Sequence, residues 1–149
     1  MKYLIDTNVI LDVLLKREPF YNDSANVLNL SGQKDITLYV TASSITDIYY
    51  IAYQTLRNKE EVKVMLMKLL KIVLIAGVSG EEIRNALILS WKDFEDSVQY
   101  SVALLQEMDG IVTRNPNDYK EAEMKVWKPE DFLLLIGKED LINTERQLN

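Results

Sequence analysis

The stretch Tyr3-Leu4-Ile5-Asp6-Thr7-Asn8-Val9-Ile10-Leu11-Asp12 changes its hydrophobic period at one acidic residue. Before Asp6 stands a short apolar run; after it Val9, Ile10, Val13 and Leu14 recur at helical spacing. The order strand, acidic loop, helix is therefore predicted. Downstream, Glu18 and Pro19 break that helix, a second carries Ala25, Leu28 and Leu30 to a stop near Gly32, and residues 36–40 read as a strand. Hydroxyl side chains at 41–44 suit a helix N-cap, and residues 45–56 continue with a broad apolar face and Asp47 in the first turn. Beyond the charged segment around Asn58, Lys59, Glu60 and Glu61, a helix through Leu70 precedes a β-branched strand at 72–75.

Ser79 followed by Glu82 resembles a capping box opening a helix to about Trp91, and residues 94–107 form the next helix. A fourth strand is expected at 109–113 and a short fifth at 124–127. Pro129 and Glu130 start a closing helix through Ile136. This alternation predicts an α/β fold, a three-layer α/β/α sandwich with a mostly parallel central sheet of four or five strands. One domain is expected over residues 1–137, with a polar tail at 138–149. Ligands of such sheets bind beyond the carboxyl ends of the strands, where Asp6 and residues 113–118 fall.

Composition narrows the chemistry. The 149 residues are 48% hydrophobic and 27% charged, the balance of a globular domain. No apolar stretch approaches the roughly 20 residues of a membrane span, and the opening MKYLID reaches an acid after three apolar residues. Cysteine and histidine are both absent, which excludes thiolate and imidazole chemistry and fits a reducing, cytoplasmic setting. Carboxylates must then carry any acid–base or metal chemistry. With a net charge of −6 the whole-molecule field repels a nucleic-acid backbone, so such a substrate needs a local basic patch or a bound cation.

Three acidic segments stand out. Asp6 follows a strand directly, as a site residue or as a turn former or helix cap. In Trp91-Lys92-Asp93-Phe94-Glu95-Asp96, Asp93 and Asp96 share a helix face while Glu95 is expected to point elsewhere. Helix-start chemistry is the alternative for Asp93. Asp96 heads a helix that carries no further charge before Glu107, as expected of a core helix bearing its acids at one end. Thr113-Arg114-Asn115-Pro116-Asn117-Asp118 follows a strand and is either a site loop or a Pro-Asn turn. Carboxylates gathered within a few ångströms stay ionised together only around a cation, and with oxygen ligands alone that cation is Mg²⁺ or Mn²⁺.

Together these segments resemble the PIN-domain nucleases, including the VapC-type toxins of toxin–antitoxin modules, over nearly the whole chain. Residues 3–12 look like the family's first motif, with Asp6 binding metal and Asn8 supporting it. Asp47 occupies the place where most members carry glutamate. Residues 93–99 resemble the Asp-x-x-Asp motif of one branch, Asp96 matching a metal-binding acid and Asp93 supporting it. Residues 113–119 resemble the fourth motif, with Asn115 standing where many members have aspartate, so that Asp118 shares or takes over that task.

The resemblance implies an endoribonuclease in which Mg²⁺ or Mn²⁺, held by Asp6, Asp96 and Asp118, activates water against an RNA phosphodiester. Asp47 or Asp93 orients that water, and Thr113 and Asn115 bind metal water or phosphate oxygen. Arg114 is read either as a bidentate phosphate donor or as a solvated loop charge. An antitoxin protein that blocks the site and a homodimer are the implied partners. Arg57, Lys59, Lys63, Lys68 and Lys71 offer a positive edge or a solvated face, and Tyr49 and Tyr53 a stacking surface or core contacts. Two other classes compete: a PIN-like binding module with impaired catalysis, suggested by Asp47 and Asn115, and an aspartyl phosphotransfer domain, which needs a second acid where Asn8 stands.

Overall fold

A computed structural model describes all 149 residues. Five strands form one parallel sheet: β1 (Lys2–Ile5), β2 (Thr37–Thr41), β3 (Leu74–Ala76), β4 (Gly110–Val112) and β5 (Lys125–Trp127). They lie in the order β3-β2-β1-β4-β5, with Tyr3 beside Leu38 on one flank and Leu4 beside Ile111 on the other. Seven helices complete the chain: α1 (Thr7–Leu14), α2 (Tyr21–Leu28), α3 (Ala42–Leu56), α4 (Lys59–Leu69), α5 (Gly80–Ile88), α6 (Phe94–Leu105) and α7 (Pro129–Leu148).

Strand alternation divides the core in two. Tyr3 and Ile5 of β1, Leu38 and Val40 of β2 and Val112 of β4 join one apolar cluster, with Val9, Ile48 and Phe132. Leu4 and Ile111 face the other side and pack with Val98, Val102 and Tyr119. Both sheet faces are therefore covered, as a parallel sheet requires. Full burial of each such side chain contributes about 1.5–3 kcal/mol.

The chain winds from β1 through β2 to β3, then crosses β1 to lay down β4 and β5 on the opposite flank. That reversal places a crevice between the carboxyl ends of β1 and β4. Asp6 N–H donates to the Val112 carbonyl at 2.9 Å, so the residue leaving β1 is tied to the end of β4.

Three elements differ from the sequence expectation, the first being α5, which ends at Ile88 rather than near Trp91. β3 begins at Leu74 rather than Ile72, because the N–H groups of Ile72 and Val73 donate to the Leu69 carbonyl and finish the α4 turn. Helix α7 does not stop at Ile136 but runs through Gly137 to Leu148. One glycine costs a helix about 1 kcal/mol, which the good helix formers around it offset, and Lys34 pairs with Asp140. Ile136 is nevertheless the last buried residue.

Candidate active site

Asp6 is the floor of the site, only 6% exposed at the junction of β1 and α1. Its Oδ1 accepts from Thr7 N–H at 2.7 Å and from Gln99 Nε2 at 2.8 Å. Its Oδ2 accepts from the Thr113 hydroxyl at 2.7 Å and from Asn8 Nδ2 at 3.4 Å. The Asn8 carbonyl oxygen accepts from Arg114 N–H at 3.2 Å, and Asn115 N–H donates to Thr113 Oγ1 at 3.2 Å. Asp6 is thus at once the cap of α1 and the hub that fastens α1, α6 and the loop after β4. Burial pushes its carboxyl up, and the Gln99, Thr113 and Thr7 donors oppose that shift.

Asp96, in the first turn of α6, is joined to Asp6 through two buried polar groups. Gln99 Nε2 also donates to the Tyr119 hydroxyl at 3.1 Å, and that hydroxyl donates to Asp96 Oδ1 at 3.2 Å. Burial and then the Asp6 and Asp93 charges push Asp96 up to about 7, against the Tyr119 hydrogen bond. Asp93 caps α6, its Oδ1 accepting from Asp96 N–H at 3.1 Å, and it also faces the cleft. Its cap role and its site position coexist.

The cleft above Asp6 encloses about 430 Å³ and is lined by Asp47, Asp93, Glu95, Asp96 and Asp118 as well as Asp6. Glu95 therefore does not point away from the acids. Desolvation, then the adjoining Asp47 carboxyl and the charges of Asp93 and Asp6, raise it to about 8. Being half-buried on α3, Asp47 reaches the cleft from the side opposite α6. Glu95, Gln99 and Tyr119 are the residues that sequence reasoning missed. Gln99 had a legible signal, a polar side chain three residues after Asp96 on a helix that is otherwise core.

Arg114 is not a solvated loop charge. Its Nε lies 2.6 Å from Asp12 Oδ2, and its guanidinium sits 4.1 Å from the centre of the Phe20 ring. Asp12, which its sequence position marks only as a residue of α1, is fully buried; burial raises its carboxyl, while Arg114 and Arg17 lower it. The pair fastens the loop after β4 to α1. Asn115 contributes its backbone N–H, and its side chain lines neither the Asp6 cleft nor the cleft beside it. Arg57, Lys59, Lys63, Lys68 and Lys71 also lie outside both clefts, while Tyr49 and Tyr53 stack on each other half-buried, their ring centres 6.5 Å apart.

No three carboxylates stand close enough together to ligate one ion by themselves. Zinc, which favours histidine and cysteine ligands, is a poor fit for this carboxylate donor set. A hard cation is a good one, because Mg²⁺ is held by one or two carboxylates and completes its shell with water and substrate phosphate. Burial raises the carboxyls of Asp6 and Asp96, the Asp6 and Asp93 charges raise Asp96 further, and such an ion would neutralise that excess.

A parallel α/β/α sandwich with a carboxylate-lined cleft at its β1–β4 switch point defines the class of fold and site. The family model for the PIN domain matches residues 2–117. The chain belongs to the PIN-domain family. No curated protein matches it in sequence. Among solved structures it resembles VapBC2 from Rickettsia felis bound to a promoter DNA fragment, at 18% identity and a TM-score of 0.65, covering 86% of this chain and 100% of that one. A toxin–antitoxin complex from Klebsiella pneumoniae gives 18% and 0.66, covering 85% and 97%. A sarcin–ricin-loop-cleaving VapC toxin from Mycobacterium tuberculosis gives 10% and 0.59, covering 73% and 86%. At these identities the likeness is one of fold.

Proposed function

We propose that this chain is a Mg²⁺- or Mn²⁺-dependent endoribonuclease and the toxin of a toxin–antitoxin module. The observation that carries the reading is the connected set Asp6–Gln99–Tyr119–Asp96, a buried acid fastened through two buried polar groups to a half-buried one at the switch point of a PIN-domain sheet. Toxin–antitoxin complexes and an RNA-cleaving toxin among proteins of the same fold support the assignment of partner and substrate. Asp6 and Asp96 hold the cation, with Asp118 at the rim. When bound, the ion supplies Lewis-acid polarisation of the phosphodiester and activation of water.

The other side chains orient and transfer protons. Asn8, Thr113 and Gln99 fix the Asp6 carboxylate, so it is preorganised before any ligand arrives. Glu95, raised to about 8 beside the Asp47 carboxyl, is suited to act as the acid during hydrolysis. Asp93 fixes the first turn of α6 and so the position of Asp96. An antitoxin covering this cleft, a homodimer and a cytoplasmic setting complete the proposal; no helix is long and apolar enough to cross a membrane.

Cleavage of RNA in Mn²⁺, followed by gel, tests the assignment. Asp6→Asn and Asp96→Asn are expected to abolish cleavage while circular dichroism stays native, and chelator is expected to stop the wild type. Undiminished cleavage in both variants, or in chelator, would refute it. One observation favours the alternative of an impaired binding module: all four acceptor positions of Asp6 are already taken by protein donors. Calorimetry separates the two, since a nuclease must bind Mn²⁺ in a manner that Asp96→Asn weakens.

A further inference from the structure

A smaller pocket, of about 220 Å³, shares no lining residue with the Asp6 cleft. It lies among α2, the loop after β4 and the first turn of α7, and its walls include Phe20, Asp23, Ser24, Arg114 and Glu130. Ser24 is fully buried, yet its hydroxyl has no hydrogen-bond partner in the protein. A serine within a helix commonly turns its hydroxyl onto a carbonyl one turn back, and a buried polar group left without any partner is rare. Here the hydroxyl forgoes that bond, and the residue lines the pocket instead.

Arg114 supplies the pocket's positive charge. Its Nε faces Asp12 and its guanidinium lies over Phe20, but its Nη groups make no hydrogen bond within the protein and the side chain is 24% exposed. No side chain caps the start of α7, so first-turn N–H groups stand beside the same space. With the Ser24 hydroxyl, these donors suit a carboxylate. Asp23 and Glu130 set the other half of the chemistry. A ligand that is only an anion is repelled by those two acids, and one that is only a cation is repelled by Arg114. A molecule carrying both charges meets each with its complement. The volume is below that of drug-sized sites, which limits the ligand to a few heavy atoms. We propose that this pocket binds a small zwitterion of the α-amino acid class. Its carboxylate takes the Arg114 Nη groups and the Ser24 hydroxyl, and its ammonium is held by Asp23 and Glu130. The site uses none of the acids of the Asp6 cleft and stands independently of the nuclease reading.

Backbone amide shifts of the isotope-labelled protein, followed by NMR as glycine or alanine is added, test the site. Saturable shifts are expected at Phe20, Asp23, Ser24, Arg114 and Glu130, with a Kd of about millimolar or tighter. Acetate, methylamine and inorganic phosphate each lack one of the two charges and are expected to bind about tenfold more weakly or worse. Ser24→Ala is expected to keep the fold and to weaken alanine binding about tenfold, whereas Ser24→Thr retains most of it. Combined Asp23→Asn and Glu130→Gln is expected to weaken alanine about tenfold and to strengthen acetate, because the repulsion of a lone carboxylate is gone. No saturable shift with either amino acid, acetate or methylamine bound as tightly as alanine, or undiminished binding in Ser24→Ala would each overturn the proposal. An acetate affinity unmoved by the double variant would overturn it as well, since Asp23 and Glu130 would then have no part in selecting the ligand.

Discussion

Asp12 and Arg114 form a pair whose two halves stand in different surroundings. The Asp12 carboxylate is fully buried, whereas the Arg114 side chain is 24% exposed. Removing Asp12 leaves an arginine that can turn to water and still pack on Phe20. Removing Arg114 leaves a buried carboxylate with only Arg17, 3.9 Å away. Breaking a buried pair typically costs about 3–5 kcal/mol, mostly from the charge left behind. Arg114→Ala is therefore expected to destabilise more than Asp12→Ala in urea denaturation, and the double variant less than the sum of the two. Equal losses, or strict additivity, would show that the pair does not hold the loop. The sequence exposed Asp6, Asp93 and Asp96 because an acid after a strand or heading an apolar helix breaks the local pattern. It hid Asp12 and Tyr119, whose importance comes from partners about 20 to 100 residues away.

Strand β4 is three residues long and reaches the site through Thr113. A Cβ on Gly110 would stand 2.4 Å from Trp127 Cζ3 and 2.7 Å from the Lys125 carbonyl oxygen, and the backbone atom cannot swing aside. Gly110→Ala is expected to cost about 1–3 kcal/mol by prying β5 from β4, measured as a lower urea midpoint. A midpoint unchanged from wild type would contradict the close approach of these strands. At this scale the sequence was read well where period and caps agreed: the strand–acid–helix opening, the Ser79–Glu82 capping box and Pro129 at the start of α7 all form. It misled at ends set by tertiary or local hydrogen bonding. The start of β3 yields to the α4 turn, and Gly137 does not end α7.

At the level of the whole molecule, the fold raises carboxyls above their ordinary range, and a bound cation is predicted to relieve them. Asp96 is raised to about 7 from an ordinary 3.8, and Glu95 to about 8 from 4.5. Between the ordinary and the raised values, the folded chain retains protons that the unfolded chain has released. Stability of the metal-free protein is therefore expected to fall as pH rises from about 4 to about 8, opposite to the sign for a salt-bridged acid. Thermal melts across that range should show the fall, and saturating Mn²⁺ should restore more of the melting temperature at pH 8 than at pH 5. Melts independent of pH would mean that these carboxyls are not raised in the folded protein.

The most direct measurement of the central claim is an anomalous difference map from a crystal of this protein soaked in Mn²⁺. A peak is predicted in the cleft between the carboxylates of Asp6 and Asp96, with water completing the shell. A map with no peak there, or with Mn²⁺ bound only at acids outside this cleft, would contradict the claim.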